Sequence, residues 1–186
     1  MEAVDLDEAL QAARAGKPAG FTSLFNALGP PVAGYLRALG ARDPEDLANE
    51  VFLRAFSSLH TLHGDGTRFR SWLFSIAHNC AIDDRRRSAR RPRELPIESV
   101  AEPHGGDVEG DVIGRLAEER VHALLDRLTP DQREVLLLRI VGDCSLHETA
   151  AVLGKSYEAV KAHQRRGLET LRHAIAAEEY KKGVPQ

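Results

Sequence analysis

Three groups of side chains in this sequence have the types and spacings that handle a polyanion or a protein partner. Ser156, Tyr157, Glu158, Lys161, Ala162, Arg165 and Arg166 recur at helical intervals and so share one helix face. Lysine and arginine there can neutralise phosphates or donate to base edges, and a helix with its side chains fits a DNA major groove. A second group, Arg68, Arg85, Arg86 and Arg87, continues toward Arg90, Arg91 and Arg93, with Asn79 and Asp83 beside it and the glycine-containing stretch HTLHGDGTR, including His60 and His63, before it. A positive helix next to such a loop suits a single strand, because phosphates supply affinity while splayed bases enter pockets. In the third group Asp46, Asn49, Glu50 and Leu53 share the outer side of a helix, with Arg54 next to them. A leucine ringed by carboxylates is how a helix docks on a basic partner.

Catalytic spacings are missing. His60, His63, His78, Asp83 and Asp84 could supply metal ligands in principle, but His78 and Asp83 are five apart, where helical ligands need three or four. There is no HExxH, no glycine-rich phosphate loop and no nucleophile elbow. No catalytic residue, metal or cofactor is expected. Cys80 and Cys144 lack CxxC spacing and read as buried, reduced thiols.

The elements that must position these groups are helical throughout. Residues 5–15 form a short amphipathic helix. Phe21, Leu24, Phe25 and Leu28 then repeat at helical spacing until Gly29-Pro30-Pro31, which should interrupt or bend the helix before it resumes to Leu39. Asp43-Pro44-Glu45-Asp46 is a helix start, with an aspartate cap, proline first inside and carboxylates at the positive end of the dipole. Residues 60–68 read as a loop, and Phe69, Trp72, Leu73, Ile76, Ala77 and Cys80 make the apolar stripe of the helix that follows.

From Pro92 to about Gly114 proline, glycine and acids predominate without a period, marking a linker. Residues 112–128 are helical, and Thr129-Pro130-Asp131-Gln132 opens another helix with a capping box, its core continuing through Val135, Leu136, Leu138 and Ile140. Ser145 and Glu148 repeat that box, Gly154 sits where a left-handed residue ends a helix, and Ser156 caps the next one. This is helix-turn-helix grammar, with Leu146, Ala150, Leu153, Val160, Leu168 and Leu171 as its shared core. The fold class is therefore all-α: two small helical domains, residues 1–93 and 114–186, joined by a flexible acidic linker at 94–113, the second a four-helix helix-turn-helix domain.

The net charge of −3 over 186 residues does not announce a nucleic-acid binder, but the distribution says more than the total, since a basic stretch from Arg68 to Arg93 abuts an acidic one from Glu94 to Glu119 and opposite fields sit side by side. No signal segment or membrane span is expected, which points to a cytoplasmic protein.

Together these residues resemble the extracytoplasmic-function (ECF) group of bacterial sigma-70-type factors. DLANEVFLRAF from Asp46 is similar to that family's polymerase-binding helix, FRSWLFSIAHN from Phe69 through DDRRR to Arg87 is similar to its −10 helix, and LTPDQREVL from Leu128 with the helix-turn-helix is similar to its −35 domain. The resemblance implies a protein that binds core RNA polymerase and promoter DNA. Asp46, Asn49, Glu50, Leu53 and Arg54 would dock on the β′ clamp, and the second domain would meet the β flap. His60, His63, Arg68, Asn79, Asp83, Arg85, Arg86 and Arg87 would capture a flipped base or hold phosphates at the −10 element, and the Ser156 to Arg166 face would read the −35 element. An anti-sigma protein is a further possible partner. The sequence departs from the family at Ala162-His163-Gln164, where relatives more often carry a serine-arginine-leucine run. The rival reading is a two-domain helix-turn-helix regulator acting on duplex DNA without polymerase. It would need a receiver or ligand-binding domain, and the alternating strand and helix pattern of a receiver is absent from the first half.

Overall fold

The computed structural model describes residues 4–90 and 119–183, all helix and connection, with no strand among them. The acidic stretch 94–113 and residues 112–118 of the next expected helix lie outside the described part. Helix α1 (Leu6–Arg14) is capped by the Asp5 carboxylate, which accepts the N–H groups of Asp7 and Glu8. Helix α2 (Pro18–Ala38), α3 (Pro44–Ser57), a single 3₁₀ turn (Leu59–Thr61) and α4 (Gly66–Arg90) complete the first unit. The second holds α5 (119–125), α6 (Pro130–Ile140), α7 (Leu146–Leu153) and α8 (Tyr157–Gly183).

Burial follows the helical period. Leu24, Leu28, Val32, Tyr35 and Leu36 of α2 meet Leu47, Val51, Phe52 and Ala55 of α3 and Phe69, Leu73, Ala77 and Cys80 of α4. Edge-to-face pairs lock this packing, with Phe21 on Phe56 at 4.9 Å and Tyr35 on Phe74 at 5.3 Å between ring centres. In the second unit Val135, Ala150 and Val160 form the small core of the helix-turn-helix.

Four expectations are corrected. Helix α2 is not interrupted at Pro30 and Pro31, because its buried face holds it across the two positions whose missing N–H groups leave the Asn26 and Ala27 carbonyls without helical donors. Helix α4 begins at Gly66, two positions after Gly64, since the Asp65 carboxylate accepts the Arg68 N–H and caps the helix before the loop pattern ends. Helix α5 stops at 125, short of Leu128; the Arg133 guanidinium donates to the Leu125 carbonyl and closes that end. Helix α8, whose spacing suggests a helix from Tyr157 to Arg172 and a polar tail from Ala174, runs to Gly183, tied back by an ion pair from Glu178 to Arg120 at 3.0 Å.

The apolar set is also narrower than the spacing suggests. Ile140 is 64% exposed and Leu168 37%, although periodicity puts both in the core. On α6 the buried positions are the four consecutive residues Val135 to Leu138, because this helix is covered from two sides: α8 on one, the first unit on the other.

Candidate nucleic-acid interface

The helix-turn-helix is built as its capping residues dictate. The Ser145 hydroxyl accepts the Glu148 N–H while the Glu148 carboxylate accepts the Ser145 N–H, and the Thr129–Gln132 box is likewise reciprocal. Gly154 has φ +60°, the left-handed conformation that turns the chain without a Cβ penalty, and the Ser156 hydroxyl accepts the Ala159 N–H to start α8. Lys155 and His163 converge on Asp131 at 3.0 and 3.6 Å, fixing α8 against α6. His163 is therefore a packing residue of the unit. Hydrogen bonding from Lys155 holds the Asp131 carboxyl below its ordinary range.

With His163 turned inward, Lys161, Arg165 and Arg166 are exposed on α8, as are Ser156 and Glu158, while Tyr157 and Ala162 are half-buried. Tyr157 stacks on His147 of α7 with ring centres 4.6 Å apart. No carboxylate pairs with Lys161, Arg165 or Arg166 among the described residues, so their charges face solvent. A phosphate backbone is the natural counter-ion for such a face.

On α4, Asn79, Asp83, Arg86 and Arg87 are exposed along one side, while Arg85, also exposed, lies on another side of the helix near His78. Arg86 pairs with Asp83 at 3.7 Å and Arg87 reaches Glu50 of α3 at 3.9 Å, both in solvent, where such pairs are weak and exchange readily for phosphate. His60 lies in the 3₁₀ turn and His63 in the short loop after it; both are exposed. His78, a surface residue by its position in the sequence pattern, is instead buried, 7% exposed, with Nδ1 3.0 Å from the Tyr35 hydroxyl. Burial, and secondarily the nearby Arg85 charge, push its pKa down, so the neutral ring is favoured.

The two units are bonded to each other through α4. Arg70 donates to the Val141 and Gly142 carbonyls at 2.7 and 3.0 Å, satisfying the C-terminal end of α6. Ser71 donates to Glu148 at 2.7 Å, and Arg68 pairs with the same carboxylate at 3.6 Å. Phe74, Leu137, Leu138 and Cys144 belong to one continuous apolar cluster. Burial pushes the Cys144 thiol up to about 12, and both cysteines are free and buried. Between α4 and α7 a cleft of about 310 Å³ remains, lined by Arg68, Ser71, Trp72, Ser75, Asn79 and Glu148 among others. Arg68 and Asn79 thus open onto a space that the second unit partly occupies. The bonded groups are separated by more than seventy positions of chain, which is why no local pattern announces them.

The third face is intact on α3. Leu53 is 71% exposed, flanked by exposed Asp46, Asn49 and Arg54 and by half-buried Glu50, which pairs with Arg54. An exposed leucine at that level, on a helix whose opposite side is fully buried, is available for a partner. Sequence reasoning misses Arg14 and Asp7 of α1, which bond to the backbone between Leu62 and Gly66; their partners lie far off in sequence.

Among the described residues no group of three or more His, Cys, Asp and Glu could hold a metal, and no helix is long and apolar enough to cross a membrane. Residues 24–91 match the family described as Sigma-70 region 2, and residues 118–171 match Sigma-70, region 4. The chain is 31% identical over 185 residues to the ECF RNA polymerase sigma factor SigD of Mycobacterium tuberculosis, covering 95% of this chain and 87% of that one. It is 37% identical over 134 residues to the ECF RNA polymerase sigma factor SigX of Bacillus subtilis, covering 69% and 68%. Among solved structures it is similar to CnrH in complex with the cytosolic domain of CnrY, with TM-score 0.63, 30% identity, and coverage of 94% of this chain and 98% of that one.

Proposed function

Because this chain belongs to the ECF group of the sigma-70 family and, as a sigma factor, binds core RNA polymerase and directs transcription initiation, we propose how its three faces divide that work. Asp46, Asn49, Glu50, Leu53 and Arg54 form the polymerase-docking face, with Leu53 as the apolar anchor and the carboxylates steering it onto a basic partner surface. His60, His63, Arg68, Asn79 and Asp83 receive or support a base of the −10 element, and Arg85, Arg86 and Arg87 hold its phosphates. Unstacking a base costs a few kcal/mol, which these contacts offset. Lys161, Arg165 and Arg166 read the −35 groove, with Ser156, Tyr157, Glu158 and Ala162 shaping the approach.

The observation that carries this division is the pairing of two outward basic helices, α4 and α8, on separate units, with an unpartnered leucine between carboxylates on a third helix. A regulator that binds duplex DNA alone has no use for the third face. Residues 1–93 and 114–186 are the two working units, and catalysis belongs to the polymerase, which makes the protein a cytoplasmic transcription factor and not an enzyme. The cleft between α4 and α7 is bounded by the second unit, and Arg68 is engaged there by Glu148, so the paired form is a resting one. The likeness to CnrH, solved with the cytosolic domain of CnrY, supports a protein partner of the anti-sigma class that holds it. Competition for core polymerase between this chain and its Leu53→Asp variant tests the docking face. Run-off transcription with Lys161, Arg165 and Arg166 each changed to Ala tests the −35 face.

A further inference from the structure

Helix α1 lies outside the residues that match the family's region 2, yet it is bonded to the loop before α4 at both of its ends. Near its C-terminal end the Arg14 guanidinium forks onto two carbonyls, Nη1 to Gly64 at 2.9 Å and Nη2 to Leu62 at 2.9 Å. Near its N-terminal end the Asp7 carboxylate accepts the Gly66 N–H, the first N–H of α4. Arg14 lies seven positions after Asp7, roughly 10 Å at the α-helical rise, so α1 lies along the loop as a rigid bar. The fit allows no side chain at position 66: a Cβ there would stand 2.5 Å from the Leu6 Cβ and 2.8 Å from the Leu6 carbonyl carbon.

The loop needs an outside hold. Only Leu62 and Gly66 are buried between residues 60 and 68, His60 and His63 are exposed, and among the described residues the Leu62 and Gly64 carbonyls are bonded by Arg14 and by no backbone N–H. An unpinned loop of this kind samples many shapes, and a site that must close on a flipped base loses affinity to that freedom. Arg14 also faces the hollow of about 420 Å³ that His60, Leu62 and His63 line, placing the held carbonyls and the exposed imidazoles around one space.

We propose that Arg14 is a positioning residue for −10 base capture, holding the Leu62 and Gly64 carbonyls so that His60 and His63 present a preformed hollow to the extruded base. This rests on the reading of the loop as the −10 base receptor. It makes α1 part of the promoter-reading machinery although it lies far from DNA-binding residues in sequence.

The test uses the full chain assembled with core polymerase on a promoter found by start-site mapping, with 2-aminopurine placed at each non-template −10 position in turn. Fluorescence rises where a base leaves the stack. Arg14→Ala is expected to cut that rise, and the discrimination among the four bases at the captured position, by about tenfold. Affinity for core polymerase stays as in the parent. Arg14→Lys, which reaches one carbonyl and lacks the planar fork, falls between the two. If Arg14→Ala keeps both the fluorescence rise and the discrimination while the double variant His60→Ala/His63→Ala loses them, the positioning role is overturned and the loop reading stands. Should the double variant also behave as the parent, the loop reading fails and this inference fails with it. Equal loss in both Arg14 variants together with weaker core binding marks general damage to α1 and overturns the proposal too.

Discussion

Ser71 donates its hydroxyl to Oε1 of Glu148 at 2.7 Å, and the other oxygen of that carboxylate accepts the Ser145 N–H at 2.8 Å. One side chain therefore caps α7 and fastens it to α4. Burial alone would raise the Glu148 pKa, but the hydrogen bonds from Ser71 and Ser145, with the Arg68 charge, outweigh it and hold the carboxyl below its ordinary value. A carboxylate with a depressed folded pKa contributes stability above its unfolded pKa and loses it as pH falls through the folded one. Glu148→Ala, which removes the cap and the fastening, is expected to cost about 1–2 kcal/mol in urea unfolding at neutral pH. Glu148→Gln keeps the cap chemistry and should cost less. Equal costs for the two would show that the carboxylate charge carries the whole contribution and the cap chemistry adds nothing.

Separation of the units is the matching structural prediction. Arg70→Ala leaves the Val141 and Gly142 carbonyls without their charged donor and removes its stacking over Phe74, 5.9 Å from the ring centre. Hydrogen bonds of this charged kind are worth about 1.5–3 kcal/mol. The radius of gyration from small-angle scattering should increase in the variant, whereas helix content by circular dichroism should not change. An unchanged radius would mean that the apolar packing of Phe74, Leu137, Leu138 and Cys144 suffices to hold the units together.

His78 supplies the pH dependence. Its folded pKa lies below the ordinary histidine value, so the stability it contributes is complete above that value and declines as the pH falls past it, when the unfolded chain takes up the proton first. Beside it stand the Tyr35 hydroxyl on α2 and Arg85 on its own helix, and Glu134 of α6 lies near both of those groups. Glu134 is raised by burial and works in the opposite sense, so the readout is the difference between parent and variant. Between about pH 7.5 and 5.5 the melting temperature of the parent should fall more than that of His78→Gln. Parallel curves would exclude His78 as the titrating group.

Leu53→Asp should leave stability within about 0.5 kcal/mol, because the side chain is 71% exposed. Its affinity for core polymerase should fall at least about tenfold, the loss expected when a central anchor is replaced by a charge. Fluorescence anisotropy of labelled protein titrated with core enzyme measures it. Normal binding would remove α3 from the docking face.

Much of this molecule is legible in its sequence because the signals are local. Capping boxes at Thr129 and Ser145, the Gly154 turn and the helical spacing on α3 and α4 each act within a turn or two of chain, and the structure places them accordingly. What escapes is non-local. Ile140 and Leu168 look like core positions until α6 is seen covered from two directions, which moves the buried strip to Val135 through Leu138. His78 looks like surface because its partner, the Tyr35 hydroxyl, lies on another helix, 43 positions away in sequence. Arg14 has no signal at all, because backbone carbonyls some fifty positions away carry no side-chain pattern.

The central claim is that two helical units address separate promoter elements on behalf of a polymerase, and in-vitro transcription with purified core enzyme on a mapped promoter tests it most directly. The full chain should start transcription only when both elements are present. Changing Arg165 and Arg166 of α8 to Ala should abolish −35 dependence and lower the salt sensitivity of promoter binding by about one slope unit for each phosphate no longer neutralised. Initiation that is indifferent to either element, or tight binding to the promoter duplex without core enzyme, would contradict it.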